Sequence, residues 1–250
     1  MKNYRQTVDA EGVKRVKAVA TSAVRDAANA GSFLAKVADE CGLAIDILDG
    51  RREAELSFIG ATSDPILRRQ DKSYLVIDIG GGSVELIFGD KKKITDIASL
   101  DAGCVRLSEM FLKSDPPTAG EIKDLRSFVG KRLGDRFPGG LPQGIDSRQL
   151  EAIAVAGTST SLVAVDLELE PYDPNIIHGS LFSRERTEYA LLKLAKLPLA
   201  ELRRLKGLDP KRADVIVAGA AIQAEIMEYF RLEKVRVSEK DILDGIVLKS

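Results

Sequence analysis

Three glycines set between two acids are the part of this chain most suited to chemistry. Leu75-Val76-Ile77-Asp78-Ile79 leads into Gly80-Gly81-Gly82-Ser83, and Val84-Glu85-Leu86-Ile87-Phe88 follows. Two β-rich runs around a short glycine turn read as a hairpin. Consecutive glycines let the backbone turn tightly and approach another group with no Cβ in the way. Successive N–H groups in such a turn form a concave anion site. Asp78 ends the first run and Glu85 begins the second, so both carboxylates can face one cavity. Hard cations such as Mg²⁺ take carboxylate and phosphate oxygens together. Residue type leaves two readings open: a phosphate-and-metal hairpin, or an ordinary tight hairpin with solvated acids.

A second candidate follows a buried strand at Ala152 to Ala156. Gly157-Thr158-Ser159-Thr160-Ser161-Leu162 is a small, hydroxyl-rich turn into a helix. A helix N-terminus reached this way offers free N–H groups and a favourable dipole to an anion. The alternative is plain N-capping by Thr158 or Ser159. Taken together, the turns at Gly80 and Gly157 suggest two loops gripping one phosphate chain.

The elements that must position these loops alternate. Val16 to Ala20 reads as a half-buried strand, Thr21 to Ala38 turns into a helix that stops at Gly42, Leu43 to Leu48 is a second strand, and Arg51 to Ile59 another helix. Strand–helix–strand–helix order predicts α/β packing with mainly parallel strands. After the hairpin, Lys91-Lys92-Lys93 reads as an exposed turn or edge guard, and Ile94 to Leu100 as a strand. Thr118 with Glu121 has capping-box spacing at the head of a helix running to about Leu133. Ile176 to Gly179 reads as short and extended, Arg184 to Leu197 as helix, and Leu208 to Asp214 opens a long, largely buried helix through Tyr229. Val235 to Val237 is a last strand and Asp241 to Leu248 a last helix. Asp64-Pro65, with the charged segment to Lys72, is the expected domain boundary. The expected domains are 1–70 and 71–237, with 238–250 packing back on the first.

Composition bounds the function. The chain has 250 residues, enough for one large domain or two small ones. Its formal net charge of −1 provides no global field for nucleic acid or a membrane, so neither is expected as a partner. Cys41 and Cys104 are far apart and have no metal-ligand spacing; they read as reduced thiols of a cytoplasmic protein. No apolar run reaches the roughly 18 residues of a membrane span. The opening Met1 to Gln6 lacks an apolar signal core. With His178 the sole histidine, a His-rich metal site is excluded.

Five stretches in order resemble the exopolyphosphatase/guanosine pentaphosphate phosphatase (Ppx/GppA) family: Ala20 to Ala27 with Asn29, Gly50 to Leu56, Val76 to Gly89, Ala156 to Leu162, and Arg212 to Ile216 with Asp244-Gly245. The resemblance implies the actin/Hsp70/sugar-kinase-like fold, with two ribonuclease H-like lobes flanking a phosphate cleft. It implies that Glu53 is the general base on the attacking water, that Asp78 and Glu85 stand around metal and water, and that Gly80, Gly81, Gly82 and Ser83 bind phosphate through the backbone. Gly157 and Thr158 match the loop that corresponds to the nucleotide-binding loop of the kinases, and Arg25 an arginine facing the substrate phosphates. The implied activity is phosphate release from inorganic polyphosphate or guanosine pentaphosphate with Mg²⁺. Phosphoanhydride hydrolysis needs positioned water and charge neutralisation, which a carboxylate, Mg²⁺ and an arginine supply.

Two departures qualify that picture. Family members open with a strand, a glycine/serine turn and a strand, the first phosphate motif; residues 1 to 15 contain one glycine, Gly12, and no strand pair. The expected first lobe is therefore truncated, with an edge or apolar face that needs cover; a two-fold homodimer is the expected cover, and the alternative is a first lobe that is loose or partly disordered. Arg51-Arg52 precede Glu53 where the family often has acids, which should favour the ionised glutamate. Two alternatives accompany the hydrolase: a weak or inactive paralogue that binds a phosphorylated ligand or partner, and an ATP-binding kinase-like protein.

Overall fold

The computed structural model describes residues 1–64, 72–90 and 93–249. The chain divides into two compact units, Met1–Glu53 and Ala54–Ser250.

The first unit opens with helix α1 (Lys2–Ala10), followed by β1 (Ala18–Ala20), the short α2 (Ser22–Arg25), α3 (Ala30–Cys41) and β2 (Ile45–Ile47). Gly42 ends α3 with φ 60°, the left-handed stop that glycine allows. Strands β1 and β2 pair in parallel, Ala18 with Ile45 and Ala20 with Ile47, as a two-stranded sheet. Val37, Cys41 and Leu43 form its small buried cluster. Helix α4 (Gly50–Ser63) starts in this unit, where the Asp49 carboxylate accepts from the Arg52 N–H at 2.7 Å, and carries the chain into the second.

The second unit is built on a six-stranded sheet in the order β5-β4-β3-β6-β8-β7. These strands are β3 (Ser73–Ile79), β4 (Val84–Gly89), β5 (Ile94–Leu100), β6 (Leu150–Val155), β7 (Leu181–Ser183) and β8 (Lys234–Val237). Strands β3, β6 and β8 run parallel, while β3-β4-β5 form an antiparallel meander and β7 pairs antiparallel with β8. The helices are α5 (Cys104–Phe111), α6 (Ala119–Arg136), α7 (Ala156–Asp166), α8 (Pro174–Ile177), α9 (Arg184–Leu194), α10 (Leu199–Leu202), α11 (Ile216–Tyr229) and α12 (Ile242–Leu248).

Alternation along β3 decides what each face meets, because successive side chains point to opposite faces. Leu75, Ile77 and Ile79 join Leu86 and Phe88 in the large core, which also takes in Leu125 of α6, Leu162 of α7 and Ile222 of α11. Tyr74 and Val76 point the other way, where Ala54, Phe58 and Ala61 of α4 pack with Ile87, Ile153 and Val155. Asp78 has the parity of Tyr74 and Val76, so it falls on the α4 face.

Most of the expected elements are present, with differences at their ends. Ile176 to Gly179 is not extended: Pro174 to Ile177 form α8, because the Asp173 carboxylate accepts from the Asn175 N–H and Pro174 opens the turn. Strand β7 was not foreseen. The expected boundary from Asp64-Pro65 to Lys72 falls largely on residues 65–71, outside the described residues, as do Lys91 and Lys92. The division into units lies inside α4, and the second unit contains both Ala54–Ser63 and α12.

Candidate active site

The β3–β4 register places Asp78 directly opposite Glu85, and directly opposed residues share a face of the sheet. Both are buried, Asp78 at 9% exposure and Glu85 at 1%, so the reading with solvated acids is set aside. Ser57 of α4 donates its hydroxyl hydrogen to Asp78 Oδ2 at 2.8 Å, and Ser99 of β5 donates to Glu85 Oε1 at 2.7 Å. Burial, then the charge of Glu85, pushes the Asp78 carboxyl up to about 7; the Ser57 bond works against this, and Asp241 adds to it.

The turn between these acids is held by the first residues of α5. Cys104 N–H donates to the Gly80 carbonyl at 2.9 Å, Val105 and Arg106 N–H to that of Gly81 at 3.0 and 3.1 Å, and Gly103 N–H to that of Gly82 at 3.2 Å. Arg106 Nε adds a bond to the Gly82 carbonyl at 2.9 Å. In a trans peptide the next residue's N–H points opposite to the carbonyl. With these carbonyls turned to α5, the N–H groups of Gly81, Gly82 and Ser83 point away from it, a set of donors suited to phosphate oxygens. Gly103 makes this fit possible: a Cβ there would lie 2.4 Å from the carbonyl carbon and oxygen of Gly81.

The second loop is tighter than expected. Helix α7 begins at Ala156, directly off β6, with Ala156 itself at φ 63° making the turn. Gly157 and Thr158 therefore stand in the first helical turn, and neither Thr158 nor Ser159 caps it. Val155 holds the cap position and contributes no side-chain bond. Ser159 instead donates to Gln223 Oε1 at 2.6 Å inside the core. Thr158 is buried, pressed against Gly219 of α11. The first-turn N–H groups, left without a side-chain cap, are the feature here that could receive an anion. Arg212 covers Gly157 so closely that a Cβ at Gly157 would fall 1.6 Å from Arg212 Nη1. Cys104 ties the two loops: its N–H holds Gly80, while burial raises its thiol pKa against the opposing pull of its hydrogen bonds to the Val105 backbone and the Thr158 side chain and of the Arg212 charge.

In the first unit, Arg25 Nη1 lies 3.5 Å from Glu53 Oε2 and donates to the Leu48 carbonyl at 2.9 Å. Glu53 is buried at 8% exposure.

The site residues expected from sequence thus form three groups: Arg25 with Glu53, Asp78 with Glu85 around Gly80 to Ser83, and Gly157 with Thr158. Ser57, Ser99, Gly103, Arg106 and Arg212 were not foreseen as site residues. The pattern Gly103-Cys104-Val105-Arg106 after a strand signals a helix start, but not that the helix would clamp the glycine turn.

The acid pair suits a hard cation. Two buried carboxylates, one already reluctant to ionise beside the other, present an all-oxygen donor set whose repulsion a divalent ion would relieve. Among the described residues, no group of three or more His, Cys, Asp or Glu is placed to hold a metal. A two-carboxylate site is the kind Mg²⁺ occupies together with substrate phosphates.

Comparison with known proteins gives one consistent answer. The model of the Ppx/GppA phosphatase family matches residues 1–250. Exopolyphosphatase 2 of Mycobacterium tuberculosis is 34% identical over 259 residues, covering 98% of this chain and 78% of that protein. The solved structure of the Aquifex aeolicus PPX-GPPA enzyme is similar at 31% identity and a TM-score of 0.81, over 100% of this chain and 80% of that one. An exopolyphosphatase-like protein of known structure, at 30% identity, gives a TM-score of 0.87 over 99% of this chain and 80% of that one. The chain belongs to the Ppx/GppA phosphatase family, and its α/β fold is that of the family's solved members.

Proposed function

We propose that this protein hydrolyses the terminal phosphoanhydride bond of inorganic polyphosphate or guanosine pentaphosphate. The observation that carries the reading is the Asp78–Glu85 pair, buried and opposed across a turn whose N–H groups point away from α5, in a member of a phosphatase family.

The N–H groups of Gly81, Gly82 and Ser83 bind the oxygens of the terminal phosphate. Those of the first turn of α7 bind further along the same chain. Asp78 and Glu85 would hold Mg²⁺, which when bound would supply charge neutralisation. Glu53 takes a proton from the attacking water as its oxygen bonds to the terminal phosphorus. The anhydride P–O bond breaks, and the shortened chain leaves with the bridging oxygen. Arg25, with Nη1 3.5 Å from Glu53 Oε2, faces the substrate phosphates.

The same reading takes the protein as cytoplasmic, with Cys41 and Cys104 as reduced thiols. It also includes a two-fold homodimer. Val16, Phe33 and Ile47 are exposed around the two-stranded sheet of the first unit, and exposed apolar surface of this kind marks interfaces. Light scattering at micromolar concentration tests the dimer, and a monomeric mass refutes it.

Phosphate release from each substrate, with Mg²⁺ and with chelator, tests the activity. Mg²⁺-dependent release from either substrate supports the reading. Binding of polyphosphate without release would instead support the inactive phosphate-binding paralogue.

A further inference from the structure

A cavity of about 600 Å³ lies in the second unit, between the start of α7 and the segment leading into α11. Four cations line it: Arg203, Arg204, Lys206 and Arg212. Arg203, Arg204 and Lys206 are exposed and make no ion pair among the described residues. Most other arginines of this unit are engaged: Arg126 holds Glu188 and Glu225, Arg136 holds Asp96, Arg186 holds Asp166, and Arg236 holds Glu151. Cations without an ion-pair partner among the described residues, gathered around one hollow, leave their charge available to an anion from outside.

The segment that presents them is fixed in place. The Leu208 N–H donates to the Leu205 carbonyl at 3.1 Å, and Leu208 is buried in the core. Gly207 lies so close to α7 that a Cβ would fall 2.2 Å from the Ala164 carbonyl oxygen. Two carboxylates also line the cavity, Glu170 and Asp209; Asp209 is occupied in accepting the Lys211 N–H at 2.9 Å. Four cations to two acids leave the hollow positive on a chain whose formal net charge is −1.

Arg212 belongs to both places. It covers Gly157 at the head of α7, and it lines the cavity. An anion on the α7 loop that continues past Arg212 enters the hollow, where guanidinium forks meet phosphate oxygens in matching geometry.

We propose that this cavity is a distal subsite for a linear phosphate chain: it holds phosphates several units behind the one at the glycine turn, through Arg203, Arg204 and Lys206. The proposal rests on the polyphosphate reading above and adds a consequence that reading lacks, a preference for long chains. Repeated anionic units can occupy the loops and the cavity at once, so the second contact acts at high effective concentration. In this proposal a chain of two or three phosphates, bound at the glycine turn, does not reach Arg203, Arg204 and Lys206.

The test is equilibrium binding, which does not depend on turnover. Dissociation constants are measured for polyphosphate of several tens of units, for tripolyphosphate and for guanosine pentaphosphate, with the wild-type protein and an Arg203→Ala/Arg204→Ala/Lys206→Ala variant. All three positions are exposed, so the substitutions should leave folding intact; a thermal melt checks this. Binding of long polyphosphate should weaken roughly tenfold to a hundredfold, the combined worth of three exposed charge contacts. Tripolyphosphate should move less than about threefold by the same scale. An equal loss for long and short chains, or no loss for either, overturns the proposal. A loss for guanosine pentaphosphate that matches the loss for long polyphosphate also overturns it, and makes the hollow a nucleoside-phosphate site. If the wild-type protein binds long chains but releases no phosphate, the catalytic reading fails while the subsite is still decided by the ratio of dissociation constants.

Discussion

Asp78 and Glu85 are cross-strand partners with both carboxylates withdrawn from solvent. Like charges directly opposed on a sheet destabilise it, and burial increases the cost. The folded protein therefore holds the Asp78 proton more tightly than the unfolded chain, at about 7 against an ordinary 3.8. For an acid with a raised folded pKa, the associated stability is fully present below the ordinary value and is lost as pH rises through the folded one. In chelator, Asp78→Asn should melt a few degrees above wild type at pH 8 and at the same temperature near pH 4. Mg²⁺ with a phosphate ligand should narrow the gap at pH 8, because the cation repays the cost in wild type alone. The same substitution should abolish phosphate release. Coincident melts at pH 8 in chelator would show that the pair is not strained.

Glu53 is the proposed base. Glu53→Gln keeps its size and its reach to Arg25 but cannot take a proton. Phosphate release should fall by roughly two to four decades, the usual contribution of a general base, with the melting temperature within a few degrees of wild type. Unchanged turnover in this variant removes Glu53 from the mechanism.

The sequence made the hairpin legible because its signals are local. Two β-rich apolar runs marked β3 and β4, and three glycines marked the turn between Asp78 and Glu85. The capping box at Thr118 and Glu121 was equally readable and is present. What supports the site from outside was not readable. Ser57 lies one turn after Glu53 on α4, yet nothing local marks it as the donor to Asp78. Ser99 reaches Glu85 only through the β4–β5 register. The head of α7 misled in a different way. Hydroxyl residues after a glycine are ordinary capping signals, but the turn expected from Gly157 onward is made by Ala156, at φ 63°. The helix starts early, and Thr158 and Ser159 go to the core. Only the packing of α11 on α7 could have revealed that.

Gly103 tests how firmly α5 holds the glycine turn. Its φ of −69° is open to any residue, so the requirement is for space alone. Gly103→Ala would drive a methyl group into the Gly81 peptide, and the backbone must shift to admit it. Overpacking of this kind costs about 1–3 kcal/mol. The shift falls on the N–H donors of the turn, so the Kd for phosphate ligands should rise along with the loss of stability. Met110→Ala, exposed near the end of the same helix, is the control. If Gly103→Ala binds phosphate ligands as wild type does, the clamp is structural only.

Glu121 gives a pH prediction away from the site. Its carboxylate accepts from the backbone N–H of Thr118 at 2.7 Å, of Lys113 at 2.8 Å and of Ser114 at 3.0 Å, and from the Thr118 hydroxyl at 3.0 Å. These bonds, led by the Thr118 N–H, lower its pKa from 4.5 to about 2. For an acid with a depressed folded pKa, the stability is present above the unfolded value and is lost as pH falls through the folded one. Glu121→Ala should therefore melt below wild type at pH 7, and the difference should shrink as pH drops from about 4.5 toward 2. The residue is half-buried and its bonds lie at the head of α6, so the effect is confined to the start of that helix and the loop before it. Thermal melts of both proteins across this range measure it. A difference that stays constant from pH 7 to pH 2 would mean that the carboxylate's charge contributes nothing, and that the capping box acts through shape alone.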